Sequence, residues 1–174
     1  TDEYTAGGGI FTSDDATILR SLISSNNAGV GGGIDINAID TITVNIIEST
    51  IAENVAKSDE YAGGGGIRNG NAGEGGGTLI IRDSTIRDNQ STFEGGGLTN
   101  SGTLQMSRST VSGNLAGNAG GIGNWGIANI DNSTISGNRA SSEFDPVEIP
   151  SLFLFYRTGD GGGIYNSSIV VAPF

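Results

Sequence analysis

Acidic side chains are the residues of this chain best suited to chemistry, with arginines beside some of them. Glycosidic hydrolysis needs two carboxyl groups at a fixed separation across a groove, and the spacing of the aspartates singles out no such pair. Equivalent positions elsewhere in the chain carry Ser, Asn or Thr, so the carboxylates do not recur as a stacked cluster. We therefore expect solvated surface residues and a protein that is not an enzyme. The residues concerned are Asp14, Asp15, Asp83, Asp88 and Asp131, with Arg82 and Arg87.

Nucleophiles and metal ligands are limited by composition. The sequence contains no His and no Cys, which excludes a Ser-His triad, a zinc knuckle, a thiol nucleophile and disulfides. Calcium is the one ion left open, as a structural ion and not as a cofactor, because several acidic pairs lie in predicted loops. None of the pairs has the spacing of an EF-hand loop. These pairs are Asp2 with Glu3, Asp59 with Glu60, and Asp145 with Glu148.

Two further patterns allow binding as well as structure. Trp125 and Tyr165 each follow or precede a repeated Asn, where they either stack on sugars or pack at a corner. A column of outward threonines resembles a surface-binding array, yet its neighbouring outward positions are Ala52, Arg87 and two serines. We expect a surface ladder of β-branched residues. The threonines are Thr50, Thr85, Thr110 and Thr134.

Net charge and hydropathy limit the classes of partner that this chain can have. The 174 residues carry a formal charge of −11, which repels nucleic acid and anionic membrane surfaces. The longest apolar run, Leu152 to Tyr156, is too short to span a bilayer. We therefore predict no nucleic-acid partner and no membrane span. The first repeat begins within a few residues of Thr1 and no Met precedes it, which is typical of a segment processed from a longer precursor.

A pair of motifs recurs about once every 24 to 35 residues along the chain. The first is a glycine run closed by an aliphatic residue, and it ends at Ile10, Ile34, Ile67, Leu98, Ile122 and Ile164. The second is Ser-Thr-aliphatic-x-x-Asn, and it begins at Ser49, Ser84, Ser109 and Ser133, with a looser copy at Ser21. Such a period predicts stacked units, none of which buries its apolar face alone.

Within one repeat, apolar and polar residues alternate over short stretches, as in strands. The copy from Gly95 to Asn118 accommodates three short strands and three corners. Like strands of successive copies are expected to pair in parallel at about 4.8 Å. The sequence therefore predicts an all-β, parallel β-helix of about five to six coils with three strands per coil, forming a single domain over residues 1–174.

Two sets of asparagines occupy equivalent corners of the predicted coils. Stacked amides can bond one another and the turn backbone, so we predict structural ladders; a row of ligand-binding amides is the alternative. The first set is Asn26, Asn54, Asn89, Asn114 and Asn138, and the second is Asn69, Asn100, Asn124 and Asn166. Thr12 and Ile36 take the place of Asn in the first two coils of the second set.

These motifs resemble right-handed parallel β-helix repeats of the pectate-lyase-like class. They are most similar to glycine-rich bacterial surface proteins, on Gly161 to Asn166 and Asn132 to Asn138. They also resemble polymorphic outer-membrane adhesins, although Ile or Val stands here where those have Phe. The resemblance implies a right-handed coil, also favoured by the rule for parallel crossovers, and an extracellular or cell-surface location.

One long interruption, residues 139–160, is predicted to be an inserted loop. It contains a run of consecutive apolar residues that either folds back to cover the solenoid or contacts a second subunit. The run is Leu152, Phe153, Leu154, Phe155 and Tyr156. Neither end has an evident cap, and an uncapped solenoid presents an open core and unpaired backbone. We predict a structural or adhesive subunit of a self-associating assembly or filament; the alternative is a module that binds or cleaves polysaccharide.

Overall fold

The fold is a parallel β-solenoid, seen in a computed structural model that describes residues 6–38, 41–57, 63–71, 75–141 and 161–167. Every regular element in these ranges is a β-strand, and all neighbouring strands of the sheets pair in parallel. The strands form four sheets, each of which takes one strand from every coil. The prediction of a parallel β-helix is confirmed.

Two of the sheets follow the glycine runs. The strand after each run enters a six-stranded sheet, here called the glycine sheet, and the next strand enters a five-stranded middle sheet. The glycine sheet consists of β1 (Ile10–Thr12), β5 (Ile34–Ile36), β9 (Ile67–Asn69), β13 (Leu98–Asn100), β17 (Ile122–Asn124) and β21 (Ile164–Asn166). The middle sheet consists of β2 (Ala16–Leu19), β6 (Thr43–Ile47), β10 (Thr78–Arg82), β14 (Thr103–Ser107) and β18 (Ile127–Asp131).

The other two sheets follow the Ser-Thr motif, and each has five strands. The motif itself supplies the Ser-Thr sheet, and the residues after its Asn supply a fourth sheet. The Ser-Thr sheet consists of β3 (Leu22–Ser24), β7 (Thr50–Ala52), β11 (Thr85–Arg87), β15 (Thr110–Ser112) and β19 (Thr134–Ser136). The fourth sheet consists of β4 (Asn27–Ala28), β8 (Val55–Ala56), β12 (Gln90–Glu94), β16 (Leu115–Asn118) and β20 (Arg139–Ala140).

The prediction of three strands per coil is wrong, because the residues after the Asn of the Ser-Thr motif form a strand of a fourth sheet and not only a corner. Three of its strands contain only two residues, which is too short for an alternating pattern to be recognised. The five-stranded sheets give about four full turns from first strand to last, fewer than the five to six coils predicted. Arg139–Ala140 pairs with β16, so the first residues of the predicted 139–160 loop continue the solenoid.

The core is a narrow column of aliphatic side chains that the register stacks one coil above another. Ile34, Ile67, Leu98 and Ile122 pair in sequence along the glycine sheet, and each is fully buried. The middle and Ser-Thr sheets contribute equivalent columns that meet in the same cluster. Because each coil is too small to enclose a core alone, burial depends on the neighbouring coils.

Two constraints favour glycine in the glycine run: the backbone dihedral angle and the close approach of neighbouring backbone atoms. Its first position has a positive φ in every described copy, including Ala119 at +55°, so a methyl group is accepted there. The third position is tighter: a Cβ on Gly66 would lie 2.5 Å from the carbonyl oxygen of Gly97. The backbones of successive coils therefore touch where this corner turns.

Candidate functional site

The first asparagine ladder forms a continuous chain of hydrogen bonds along one corner of the solenoid. Asn89 shows the pattern: its Nδ2 donates to Asn114 Oδ1 at 3.0 Å and to the carbonyl of Ile51 at 3.0 Å. Its Oδ1 accepts from the backbone and side-chain nitrogens of Asn54. Asn54, Asn89 and Asn114 are all fully buried. The same side-chain bonds link Asn26, Asn54, Asn89, Asn114 and Asn138 in order.

The second ladder runs along the corner between the glycine sheet and the middle sheet. Side-chain bonds of 2.7 to 2.8 Å link Asn69, Asn100, Asn124 and Asn166 in order. Each Oδ1 in this series accepts from the preceding coil, and the coil before Asn69 carries Ile36 at the paired position. The Ile36 side chain has no hydrogen-bond donor, which explains why Asn69 Oδ1 is buried without a hydrogen bond.

A third ladder, of serines, was not predicted from the sequence. The backbone nitrogen of each Ser in the Ser-Thr motif donates to the hydroxyl oxygen of the next one at 3.1 Å. The series is Ser21, Ser49, Ser84, Ser109 and Ser133. In all three ladders the donor belongs to the earlier coil and the acceptor to the later coil, so the solenoid has a chemical direction.

The ladders use their polar groups within the solenoid. The amides donate to one another and to backbone carbonyls, and the central members are hidden from solvent. This arrangement satisfies the backbone at corners where the sheets end. The predicted asparagine ladders are confirmed, and these amides offer no row of exposed groups to a ligand.

Four of the lateral carboxylates accept hydrogen bonds: Asp83 and Asp88 from arginines, Asp15 from the backbone nitrogen of Thr43, and Asp131 from the amide of Asn132. Asp83 receives two bonds of 2.7 Å from Arg108, which lowers its pKa. Arg87 contacts Asp88 at 2.6 Å and Glu53 at 3.6 Å. Among the described residues, no three acidic side chains converge as a metal site would require. The acidic pairs at residues 2–3, 59–60 and 145–148, considered for calcium, lie outside the described residues.

A buried ion pair lies on the outer face of the glycine sheet. Arg68 donates to both oxygens of Asp35 at 2.6 and 2.7 Å, and the side chains are 7% and 0% exposed. The two residues are register partners in β9 and β5. Both residues directly follow the aliphatic residue that closes a glycine run, so an alignment of the repeats would have placed them side by side.

Glu94, Asn118, Trp125 and Tyr165 share the same outer face near the later coils. Glu94 pairs in register with Asn118, and burial raises the pKa of the Glu94 carboxyl to about 7 against an opposing hydrogen bond from Asn118. The rings of Trp125 and Tyr165 lie 5.9 Å apart at an angle of 44°. The two aromatic residues singled out in the sequence therefore contact each other, and both keep part of their surface exposed.

The ends of the solenoid carry the exposed apolar surface. The large hydrophobic side chains that are exposed in the described ranges all lie on first-coil strands or on β18 and β21. They are Phe11, Leu19, Leu22, Ile127 and Ile164, with exposures of 44 to 68%. Ile164 is the sixth member of the inward column whose buried members are fully covered. Its own exposure is 44%, so this member of the column remains accessible to solvent.

The apolar run Leu152 to Tyr156, predicted to be an interface, lies outside the described residues. In the part of the chain that the structure describes, no helix has the length and hydropathy needed to cross a membrane. No protein-family model, curated protein or solved structure matches the chain significantly.

Proposed function

We propose that this protein is a structural or adhesive β-solenoid of the cell exterior that associates with further copies of itself through the ends of the solenoid. The observation that carries the proposal is the confinement of large exposed apolar side chains to the first coil and to the last strands. Large apolar side chains that remain exposed together in one part of a protein mark a contact site there. The middle coils, by comparison, expose polar and charged side chains.

The direction of the ladders supports a second copy as the partner. Asn26 at one end and Asn138 at the other belong to one hydrogen-bonded series with a single direction. Two copies joined by unlike ends keep donors facing acceptors, whereas two copies joined by like ends oppose similar groups. A contact between unlike ends is heterologous and generates an open chain of subunits.

Among the described residues, β21 adds a sixth strand to the glycine sheet, while the other three sheets have five strands each. Ile164 on this strand occupies the same inward column as Ile10 of β1. A neighbour whose β1 pairs with β21 would continue that column and cover Ile164. We also propose a right-handed coil and a place among glycine-rich surface proteins, on the parallel crossover rule and the motif resemblance given above.

Sedimentation velocity over a hundredfold range of concentration tests the proposal. We expect the wild-type protein to sediment faster as concentration rises, and Ile164→Asp to remain monomeric because it places a charge in the contact. Gln105→Asp is the matched control, since Gln105 is exposed on a central strand. A wild-type protein that stays monomeric throughout, or a control that behaves like Ile164→Asp, would contradict association through the ends.

A polysaccharide-binding module is the second candidate, favoured by the partly exposed Trp125 and Tyr165 pair. Aromatic faces beside polar side chains stack on sugar rings, and Glu94 and Asn118 lie on the same face. Affinity electrophoresis through gels containing acidic or neutral polysaccharides tests this candidate. Retardation that is lost in Trp125→Ala would support it, and mobility unchanged by every polysaccharide would remove it.

A further inference from the structure

Two neighbouring columns of side chains lie where the fourth sheet meets the glycine sheet. One column contains Gly63, Glu94 and Asn118, which pair from coil to coil. The other contains Thr99 and Gly123, which are register partners, followed by Tyr165. Thr99 folds back over the glycine run, because its methyl group lies 2.5 Å from the Cβ position of Gly95. The columns are therefore in contact beside Glu94.

The repeat shows where the Glu94 side chain points. At the equivalent position one coil earlier, a Cβ on Gly63 would meet the methyl group of Thr99 at 2.9 Å. Glu94 bears the same relation to Gly123 in the next coil. There the Trp125 ring fills the space that a side chain would occupy, 2.6 to 2.7 Å from the Cβ position of Gly123. By the same geometry, the Glu94 side chain is expected to lie against the indole of Trp125.

Asn118 leaves one hydrogen-bonding group unused at this place. Its Oδ1 is buried without a partner, while its amide bonds the Glu94 carboxyl. A protonated carboxyl can donate to that Oδ1 while it accepts from the amide, which gives the paired bonds of an acid with an amide. An ionised carboxyl has no proton to donate, so it leaves Oδ1 unsatisfied and places a charge against the indole.

We propose that the Glu94 carboxyl is a pH-sensitive latch, which in its protonated form seats Trp125 and thereby holds β21, the last described strand, against the solenoid. Trp125 transmits the effect because its ring contacts that of Tyr165 in β21. β21 also pairs with β17, and its Asn166 accepts a hydrogen bond from Asn124. The aromatic contact is therefore one of the interactions that hold this strand, and weakening it should loosen β21.

Among the described residues, the charged groups on this face do not offset the effect of ionising Glu94. Asp35 in β5 and Arg68 in β9 form an ion pair with each other, Thr99 in β13 and Asn118 in β16 are uncharged, and Tyr165 is a phenol. Burial is the main cause that raises the Glu94 pKa to about 7. The proton is therefore retained in the folded state from about pH 4.5 to pH 7 and is lost as the pH rises through 7.

Trp125 is the single tryptophan of the chain, so intrinsic fluorescence excited at 295 nm reports on the latch directly. For the wild-type protein at fixed low concentration, we expect a reversible change in emission between pH 5 and 9 with a midpoint near 7. Glu94→Gln, which cannot ionise, should hold the acid-form spectrum at every pH. Glu53→Gln is the matched control, because Glu53 is exposed on another face, and it should titrate like the wild type.

Backbone hydrogen exchange of residues 164–166 provides the second readout, and we expect faster exchange at pH 8.5 than at pH 6 after correction for intrinsic rates. A fluorescence change that persists in Glu94→Gln, or no change in the wild type, would overturn the proposal. If Glu94→Gln fails to fold, an NMR titration of the Glu94 carboxyl carbon in isotopically labelled wild-type protein tests the proposal instead. Titration above pH 6 supports the latch, and titration below pH 5 refutes it.

Discussion

Replacement of Asn89 by Ala tests whether the buried ladder holds the coils together. The change removes four hydrogen bonds, two donated by Nδ2 and two accepted by Oδ1. The carbonyl of Ile51 and two N–H groups of Asn54 then lose their partners in a fully buried site. Because unsatisfied buried groups cost about 1 to 3 kcal/mol each, we expect the free energy of unfolding to fall by about 4 to 6 kcal/mol.

Asn26→Ala is the matched control at the end of the same ladder. This change removes only the bond from Asn26 Nδ2 to Asn54 Oδ1, at a partly exposed position where water can substitute. We expect a loss of about 1 kcal/mol. Urea denaturation followed by circular dichroism measures both variants. If Asn89→Ala lost no more stability than Asn26→Ala, the amides would not be the main polar link between coils.

Three further predictions concern other features of the fold. Gly66→Ala should lower the free energy of unfolding by about 3 kcal/mol, because the new methyl group clashes with the next coil. Gly75→Ala meets no atom within 4 Å and should cost about 1 kcal/mol because of its positive φ. Urea denaturation of both variants measures the difference. Arg68→Leu leaves the Asp35 carboxylate buried without its partner and should cost about 3 to 5 kcal/mol, while the double change of both residues to Leu should recover most of that loss in the same assay. The folded-state pKa of Glu94 is raised, so wild-type stability should decline as pH rises from about 4.5 to 7, by at most about 3 kcal/mol, and thermal unfolding of Glu94→Gln should lack this decline.

The parts of the fold that repeat were predictable from the sequence. Gly64 to Ile67 and Ser84 to Asn89 recur with fixed offsets, and an offset that recurs at each coil must place like residues in one column. That reasoning sufficed for the parallel pairing and for both asparagine ladders. It also indicated that the central asparagines would point inward.

Features that depend on side-chain contacts or on very short strands were not predicted. Asp35 and Arg68 each follow the aliphatic residue that closes a glycine run, so the repeat places them in one column, but it does not show that their side chains form a buried ion pair. The fourth sheet was not predicted because strands such as Val55–Ala56 are too short to show an alternating pattern. Glu94 looks like an ordinary surface residue in the sequence, and no repeat pattern predicts the burial that raises its pKa.

Electron microscopy of the purified protein at neutral pH tests the central claim, association through the ends of the solenoid, most directly. We expect wild-type particles to join end to end into strings one solenoid wide, and Ile164→Asp to give single short particles. A third sample with Leu152, Phe153 and Phe155 changed to Ser separates the ends from the apolar run: strings should persist if the ends suffice. Single compact particles of the wild type at every concentration would contradict the account.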